Sequence, residues 1–483
     1  MRKIRLIQTA KDTGDRLAEK DACLLREKQD DKAGMKTGAA LVLKPGCTYQ
    51  KVIGFGGAFT ESASYTFYRM NADKREEILN KYFDPEEGIG YSIGRVHINS
   101  CDFSLGNYTY VKDNDTSLDS FDISREEQWT APFIKEAEAV RKGGIKLLAS
   151  PWSPPGWMKT NGEMNHGGKL LPQYMETWAR YYAKYIKAMK EKGVNIWAVT
   201  VQNEPAAVQT WDSCIYSAEE EGLFVRDYLG PTLEKEGLSD IKIYIWDHNR
   251  DIIVERAAGT LSVPGVGKYI YGIANHWYCS EAFENLSKVH ELFPDKHILF
   301  TEGCQEGGVQ LGSWSTGERY GRNMIGDFNN WQEGWLDWNL VLDEKGGPNH
   351  VGNYCDAPVI ADTRTQELYY NISYFYIGHF SKFVKPGATR IGVEIKAGAG
   401  QETYPDIGRE PLEIGSRQGQ QQAQEAEAGT ALRHVAFANE DGTVVLIVMN
   451  ETGRPEWFNV ELDGRIVSHE MPAHSIVTLI FER

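Results

Sequence analysis

From Lys51 to about Pro386, short apolar runs alternate with longer amphipathic ones, and this alternation narrows the possible folds more than any other feature of the chain. Runs that are apolar throughout read as strands buried on both faces. The amphipathic stretches read as crossover helices returning over a parallel sheet. The strand candidates are Val52–Phe55, Tyr91–Ile98, Ile145–Ala149, Ile196–Val201, Ile241–Trp246, Tyr269–His276, His297–Thr301 and Gly334–Leu342. Helix candidates lie between them at Ala72–Tyr82, Arg125–Lys142, Pro172–Lys192, Ala218–Glu236, Asp251–Leu261, Glu281–Phe293 and Thr316–Gln332, with an eighth near Thr365–Phe383. Eight strand–helix pairs is the number that closes a barrel. After Pro172, the residues Tyr174, Trp178, Tyr182, Tyr185 and Met189 recur at three- and four-residue steps, an apolar stripe that faces a core rather than a ligand.

Beyond Lys385-Pro386-Gly387 the period shortens. Strand-like runs at Arg433–Phe437, Val444–Met449, Trp457–Leu462 and Ser475–Phe481, with a turn at Asp441-Gly442, read as an antiparallel β module. Arg2–Gln8 and Ala39–Lys44 have the same character and are candidates to pair with it. The chain therefore divides into three segments. Residues 1–50 join the β module, residues 51–387 form the barrel, and residues 388–483 form the C-terminal β module. Its glutamine-rich segment near 415–429 is too poor in apolar residues to order itself.

The informative polar and aromatic residues cluster behind the strand candidates. His97, Asn99 and Asp102 follow the second and Trp152 the third; Asn203 and Glu204 follow the fourth, and Asp247-His248-Asn249 the fifth. His276-Trp277-Tyr278 closes the sixth, Glu302 the seventh, and Trp338 lies within the eighth. In a closed barrel such residues converge on one mouth, where barrel enzymes carry their chemistry. Taken singly, a buried glutamate can be half of an ion pair and His276 a core histidine. As a set at one face they point to a site.

Composition excludes several classes. A formal charge of −16 with no basic stripe argues against nucleic acid and anionic membranes as partners. No run is long enough to span a membrane. Arg2, Lys3 and Arg5 have no apolar segment after them, so no secretory leader is read and the expected compartment is the cytoplasm, with a secreted or periplasmic location as the alternative if a leader has been removed. Seven scattered cysteines, none spaced Cys-x-x-Cys, indicate neither a disulfide framework nor a zinc site. No metalloprotease, phosphate-loop or serine-hydrolase motif is present, and neither cofactor nor metal is expected.

Two carboxylates at two strand ends suit glycoside hydrolysis. One carboxylic acid must protonate the departing oxygen while an ionised carboxylate attacks the anomeric carbon. Glu204 and Glu302 can divide these roles, with Arg95 in the second strand keeping one of them charged. Tryptophan faces suit the C–H side of a sugar, and Asp102 and Asn203 can hydrogen-bond its hydroxyls. A binding protein without catalysis is the other class this residue set admits, although it retains both glutamates.

Seven stretches carry a more specific likeness: Gly54–Glu61, Ser100–Ser104, Leu148–Gly162, Trp197–Pro205, His276–Tyr278, Gly334–Asn339 and Gly378–Phe383. Together they resemble glycoside hydrolase family 30, most nearly its glucosylceramidase branch. The resemblance implies a (β/α)8 barrel with a β-sandwich side domain built from both chain ends, and retaining hydrolysis of a carbohydrate or glycolipid β-glycoside. It places Glu204 on the family's acid/base and Glu302 on its nucleophile. Asp102, Trp152, Asn203 and Trp338 fall on sugar-binding positions and Tyr278 beside the nucleophile, and His276 is grouped with these substrate contacts. Exo-acting β-glucosidase activity is the expectation, with β-1,6-glucanase or β-xylosidase activity as alternatives inside the family.

Overall fold

The computed structural model describes residues 3–24, 26–27, 38–396 and 432–482. The expected glutamine-rich loop near 415–429 lies outside the described residues. By compactness the chain divides into one unit of residues 52–317 and 326–374, and another of residues 1–51, 318–325 and 375–483.

The first unit is a closed barrel of eight parallel strands. These are β1 (Gly54–Ala58), β2 (Ile93–Ile98), β3 (Lys146–Pro151), β4 (Ile196–Thr200), β5 (Lys242–Asn249), β6 (Ile270–His276), β7 (His297–Glu302) and β8 (Gly334–Asn339). Each pairs with its neighbours in chain order, and β8 closes on β1. One apolar cluster takes a residue from each of seven strands: Ile93, Leu148, Ala198, Tyr244, Ala274, Leu299 and Leu336. This is the interior filling of a barrel. β1 contributes glycine because its backbone runs so close to β2 that a Cβ on Gly56 would lie 1.7 Å from the Ile93 carbonyl oxygen. That close approach also explains why apolar periodicity placed the first strand two residues early, at Val52.

The helices follow the expected alternation with local differences. The stripe helix runs over Met175–Glu191 and buries Trp178, Tyr182, Tyr185 and Met189, while Tyr174 falls in the short 3₁₀ turn before it. The stretch expected as one helix over Ala218–Glu236 opens on a capping box between Ser217 and Glu220. It then widens into a π turn at Val225–Leu229, immediately before Gly230-Pro231. A proline lacks the N–H that a regular helix needs there. A short helix at Glu61–Arg69, capped by the Thr60 side chain, was not anticipated.

Two expectations are corrected. The run Gly334–Leu342 is not one strand, because β8 ends at Asn339 and Val341–Asp343 joins a separate sheet with Val359–Asp362 and Glu367–Tyr370. The helix expected over Thr365–Phe383 is confined to Ile372–Ser381. Residues 367–370 alternate exposed and half-buried side chains in the two-residue period of a strand.

The second unit is a ten-stranded sheet in which Lys3–Ala10 pairs with Ser475–Phe481, and Ala39–Lys51 lies between Thr389–Lys396 and Glu456–Leu462. Ile4, Leu43, Leu446, Phe458, Val467 and Leu479 share one core, so strands far apart in sheet order face each other as a sandwich. Strands Thr389–Lys396 and Arg465–Met471 were not anticipated. Among the described residues, no helix is long and apolar enough to cross a membrane.

Candidate active site

At the end of β4 the backbone crosses the barrel mouth. The Asn203 N–H donates to the Pro151 carbonyl at 2.8 Å and the Glu204 N–H to the Asp247 carbonyl at 3.0 Å. Glu204 is held at φ +47°, a left-handed conformation that costs a non-glycine residue of order 1–3 kcal/mol. Those bonds and the following Pro205 keep its carboxyl aimed into the barrel. Glu302 ends β7 and is followed by Gly303, where a Cβ would meet Phe300 at 2.7 Å and Trp277 at 2.8 Å. The chain turns there without room for a side chain.

Arg95, fully buried, ties the two carboxylate neighbourhoods together. Its Nη1 donates to Glu302 Oε2 at 2.5 Å; its Nη2 donates to Asp247 Oδ2 at 2.7 Å and to Asn203 Oδ1 at 2.9 Å. Tyr278 donates its hydroxyl to Glu302 Oε1 at 2.9 Å. Asp247 also accepts the hydroxyls of Thr200 at 2.7 Å and Thr301 at 2.6 Å. The His276 ring stands between two acids, with Nε2 3.0 Å from Asp247 Oδ1 and Nδ1 3.3 Å from Glu204 Oε1.

These contacts determine the charges. Burial opposes a charge on His276, but Glu302, Asp247 and Glu204 around it raise it to about 9. It is an imidazolium at neutral pH, donating from both nitrogens. Asp247 is held well below the usual carboxylate range, because Arg95 and His276 outweigh its burial. At Glu204, burial pushes up while His276 and His248 pull down, and the net direction is down. Burial raises Glu302 against the pull of His276 and Arg95, helped by the negative charges of Glu204 and Asp247. Two cations thus face three acids, and the balance pulls Glu204 down while it leaves Glu302 raised.

Both glutamates line one cavity of about 180 Å³, together with Asp102, Trp152, Asn203, Tyr278 and Trp338. The two indole rings stack 5.2 Å apart and lie over the Arg95 guanidinium, at 4.7 Å for Trp152 and 5.5 Å for Trp338. Asp102 Oδ2 accepts from Asn349 Nδ2 at 3.0 Å and Asn353 Nδ2 at 3.1 Å. Its burial outweighs those donors and raises it to about 7. Such a wall offers flat apolar faces and a carboxylate to a sugar ring.

His276 needs correction as a substrate contact. It is completely buried and does not line the cavity; it stands behind Glu204, because Asp247 and Glu204 occupy both of its nitrogens. Arg95 likewise does not line the cavity but holds the residues that do. Asp247 is the residue sequence reasoning left without a role, although Asp247-His248-Asn249 at the fifth strand end was the available signal. His248 and Asn249 from the end of β5 also line it, as do Gln209, Trp211, Cys304, Glu306, Asn353 and Cys355 from loops that carry no periodic pattern.

A family model described as the glycosyl hydrolase family 30 TIM-barrel domain matches residues 52–384, and one described as the family 30 β-sandwich domain matches residues 414–479. The chain is 35% identical to putative glucosylceramidase 4 of Caenorhabditis elegans, across 84% of this chain and 75% of the nematode protein. It is 33% identical to the lysosomal acid glucosylceramidase of Mus musculus, across 92% of this chain and 84% of the mouse protein. Among solved structures, SrfJ from Salmonella typhimurium superposes with a TM-score of 0.88 at 34% identity, with all of both chains covered. An endo-β1,6-glucanase superposes with a TM-score of 0.82 at 28% identity, covering 100% of this chain and 99% of that one.

Proposed function

This chain belongs to glycosyl hydrolase family 30, and from that premise we propose that it removes a terminal β-glucosyl unit from an apolar aglycone by double displacement. It is a glycoside hydrolase; the exo mode, the sugar and the aglycone are our reading. In that reading a Glu302 oxygen attacks the anomeric carbon while Glu204 delivers a proton to the departing oxygen, so the bound substrate must reverse the directions set by the surrounding residues alone, Glu204 down and Glu302 up. Water then releases the sugar from Glu302, with Glu204 taking the water's proton. Arg95 and Tyr278 hold Glu302 for attack, and the His276 imidazolium keeps a proton beside Glu204.

The observation that carries the exo reading is the cavity. Its volume of about 180 Å³ falls below the roughly 300–1,000 Å³ of pockets for drug-sized ligands. It suits one ring, with Asp102 and the stacked tryptophans among its walls. For the aglycone, Leu105, Val208, Leu311 and Tyr354 are large apolar side chains exposed on the loops after β2, β4, β7 and β8. We take these residues, on loops at the C-terminal ends of the strands, as the contacts of an alkyl aglycone.

The test is a panel of aryl β-glucoside, β-xyloside, β-fucoside and β-galactoside, followed by glucosylceramide in mixed micelles and β-1,6-glucan. Fastest turnover of the glucoside, with glucose as sole sugar product from the lipid, is expected. Release of long internal fragments from β-1,6-glucan would replace this reading with an endo-acting one. Inertness toward every glycoside would leave only sugar binding.

A further inference from the structure

Cys304 lies two residues beyond Glu302, and the loop after β8 brings Cys355 beside it. Glu306 and Cys355 form an isolated antiparallel bridge, and the Asp356 N–H donates to the Gln305 carbonyl at 2.8 Å. The Cys355 Sγ donates to the Asn353 carbonyl at 3.7 Å, and both cysteines share one packed cluster with Trp152 and Trp338. Both line the cavity although their side chains are otherwise buried. Tyr278, which holds Glu302, has its hydroxyl 3.5 Å from Cys304 Sγ. Two sulfurs therefore face the sugar space on one side and the Glu302 donor on the other. Retaining glycoside hydrolysis uses neither.

We propose that Cys304 and Cys355 form a dithiol site for a soft, two-coordinate thiophile, of the class of trivalent arsenicals and monovalent d¹⁰ cations, and that its occupancy closes the sugar cavity. The inference rests on the reading of this cavity as the glycosidase site. Soft thiolate donors select such ligands over zinc or the hard cations, which need more ligands. The two sulfurs are the soft donors among the residues that line the cavity.

The neighbouring Cys355 side chain and burial push the Cys304 thiol well above its ordinary value. Peroxide, which needs a thiolate, reacts slowly with such a group. A thiophile that takes both sulfurs displaces their protons as its bonds form. For methylarsonous acid the step balances without electron transfer. Two As–S bonds form, two As–O bonds break, and the two thiol protons leave with the two hydroxyls as water.

The test treats the full chain with methylarsonous acid and records intact mass alongside aryl β-glucoside hydrolysis. Expected is one CH₃As adduct per chain with loss of two thiol hydrogens and nearly complete loss of activity. Both effects should be reversed by 2,3-dimercaptopropanol but not by a monothiol, and slowed by a glucose-configured iminosugar. Cys355→Val and, independently, Cys304→Ser should abolish the adduct and bring the treated-to-untreated activity ratio to one. Cys47→Ser and Cys279→Ser, at exposed positions, should change neither readout. An adduct that persists in Cys355→Val and Cys304→Ser overturns the site, and an adduct without inhibition overturns closure of the cavity. If the protein hydrolyses no glycoside, the glycosidase reading fails, while the mass adduct still decides whether the thiols act as a pair.

Discussion

His276 Nε2 stands 3.0 Å from Asp247 Oδ1, and this contact links the two sides of the cavity. Asp247 is bonded through Arg95 to the neighbourhood of Glu302, and through His276 to Glu204. Its negative charge is one of the influences that raise His276 to about 9. Removing that charge in Asp247→Asn lowers the pH at which His276 loses its proton, so the alkaline limb of kcat/KM should move toward neutral pH. The loss of a charged hydrogen bond, about 1.5–3 kcal/mol, predicts a ten- to hundred-fold drop in kcat/KM at pH 7. An unshifted alkaline limb, measured on an aryl β-glucoside, would remove the pair from catalysis.

The proposed division of labour between the glutamates gives a second prediction. Glu302→Ala should lose turnover altogether, since no covalent intermediate can form. Glu204→Ala should retain the first step on aryl glycosides whose leaving groups need no proton, and azide should restore the second, giving a β-glycosyl azide. If azide instead rescues Glu302→Ala with an α-glycosyl azide, the two roles are reversed.

The barrel and both glutamates were legible because each depends on a local signal. A run of buried residues announces a strand, and an acid between that run and a proline or glycine, as at Glu204 and Glu302, announces its end. Asp247 carried the same positional signal without revealing a role, since its partners Arg95, Thr200, His276 and Thr301 come from four other strands and meet it only when the barrel closes. Asn353 and Cys355 were invisible for a different reason. They sit in the long connection after β8, where no period relates a residue to the cavity it lines. The helix expected over residues 365–371 gives way to the short strand Glu367–Tyr370 because that segment pairs antiparallel with Val359–Asp362, a contact from outside the segment that no local period announces.

Asp102 offers a third prediction. Burial raises its carboxyl to about 7, so the charged acceptor predominates only above that pH. Affinity for a sugar hydroxyl should fall as pH drops through this value, and Asp102→Asn should flatten the step. From roughly 1.5–3 kcal/mol for a charged hydrogen bond, kcat/KM for the aryl β-glucoside should fall about ten- to a hundred-fold in Asp102→Asn at pH 8. A deoxy analogue lacking the contacted hydroxyl should lose much less. Equal losses on all glycosides, including the 4-deoxy and 6-deoxy forms, would take Asp102 out of sugar recognition.

The last prediction concerns stability in the β-sandwich unit. His379 is completely buried, with Nδ1 2.8 Å from Thr478 Oγ1 and Nε2 2.9 Å from Thr9 Oγ1. One ring nitrogen donates and the other accepts, so the neutral ring is satisfied and a second proton would have only a hydroxyl to meet it. Burial lowers its pKa from 6.5 to about 3. Between those two values the unfolded chain binds one proton more than the folded chain. Stability from this residue is therefore fully present above pH 6.5 and is lost as pH falls toward 3, by about 1.4 kcal/mol per unit. His379→Asn loses some stability at pH 7 through imperfect hydrogen bonding, but its unfolding free energy should vary less steeply between pH 6 and pH 4 than that of the parent. Urea titrations at pH 6, 5 and 4 give the two slopes directly, and parallel slopes would show that His379 takes up a proton without unfolding.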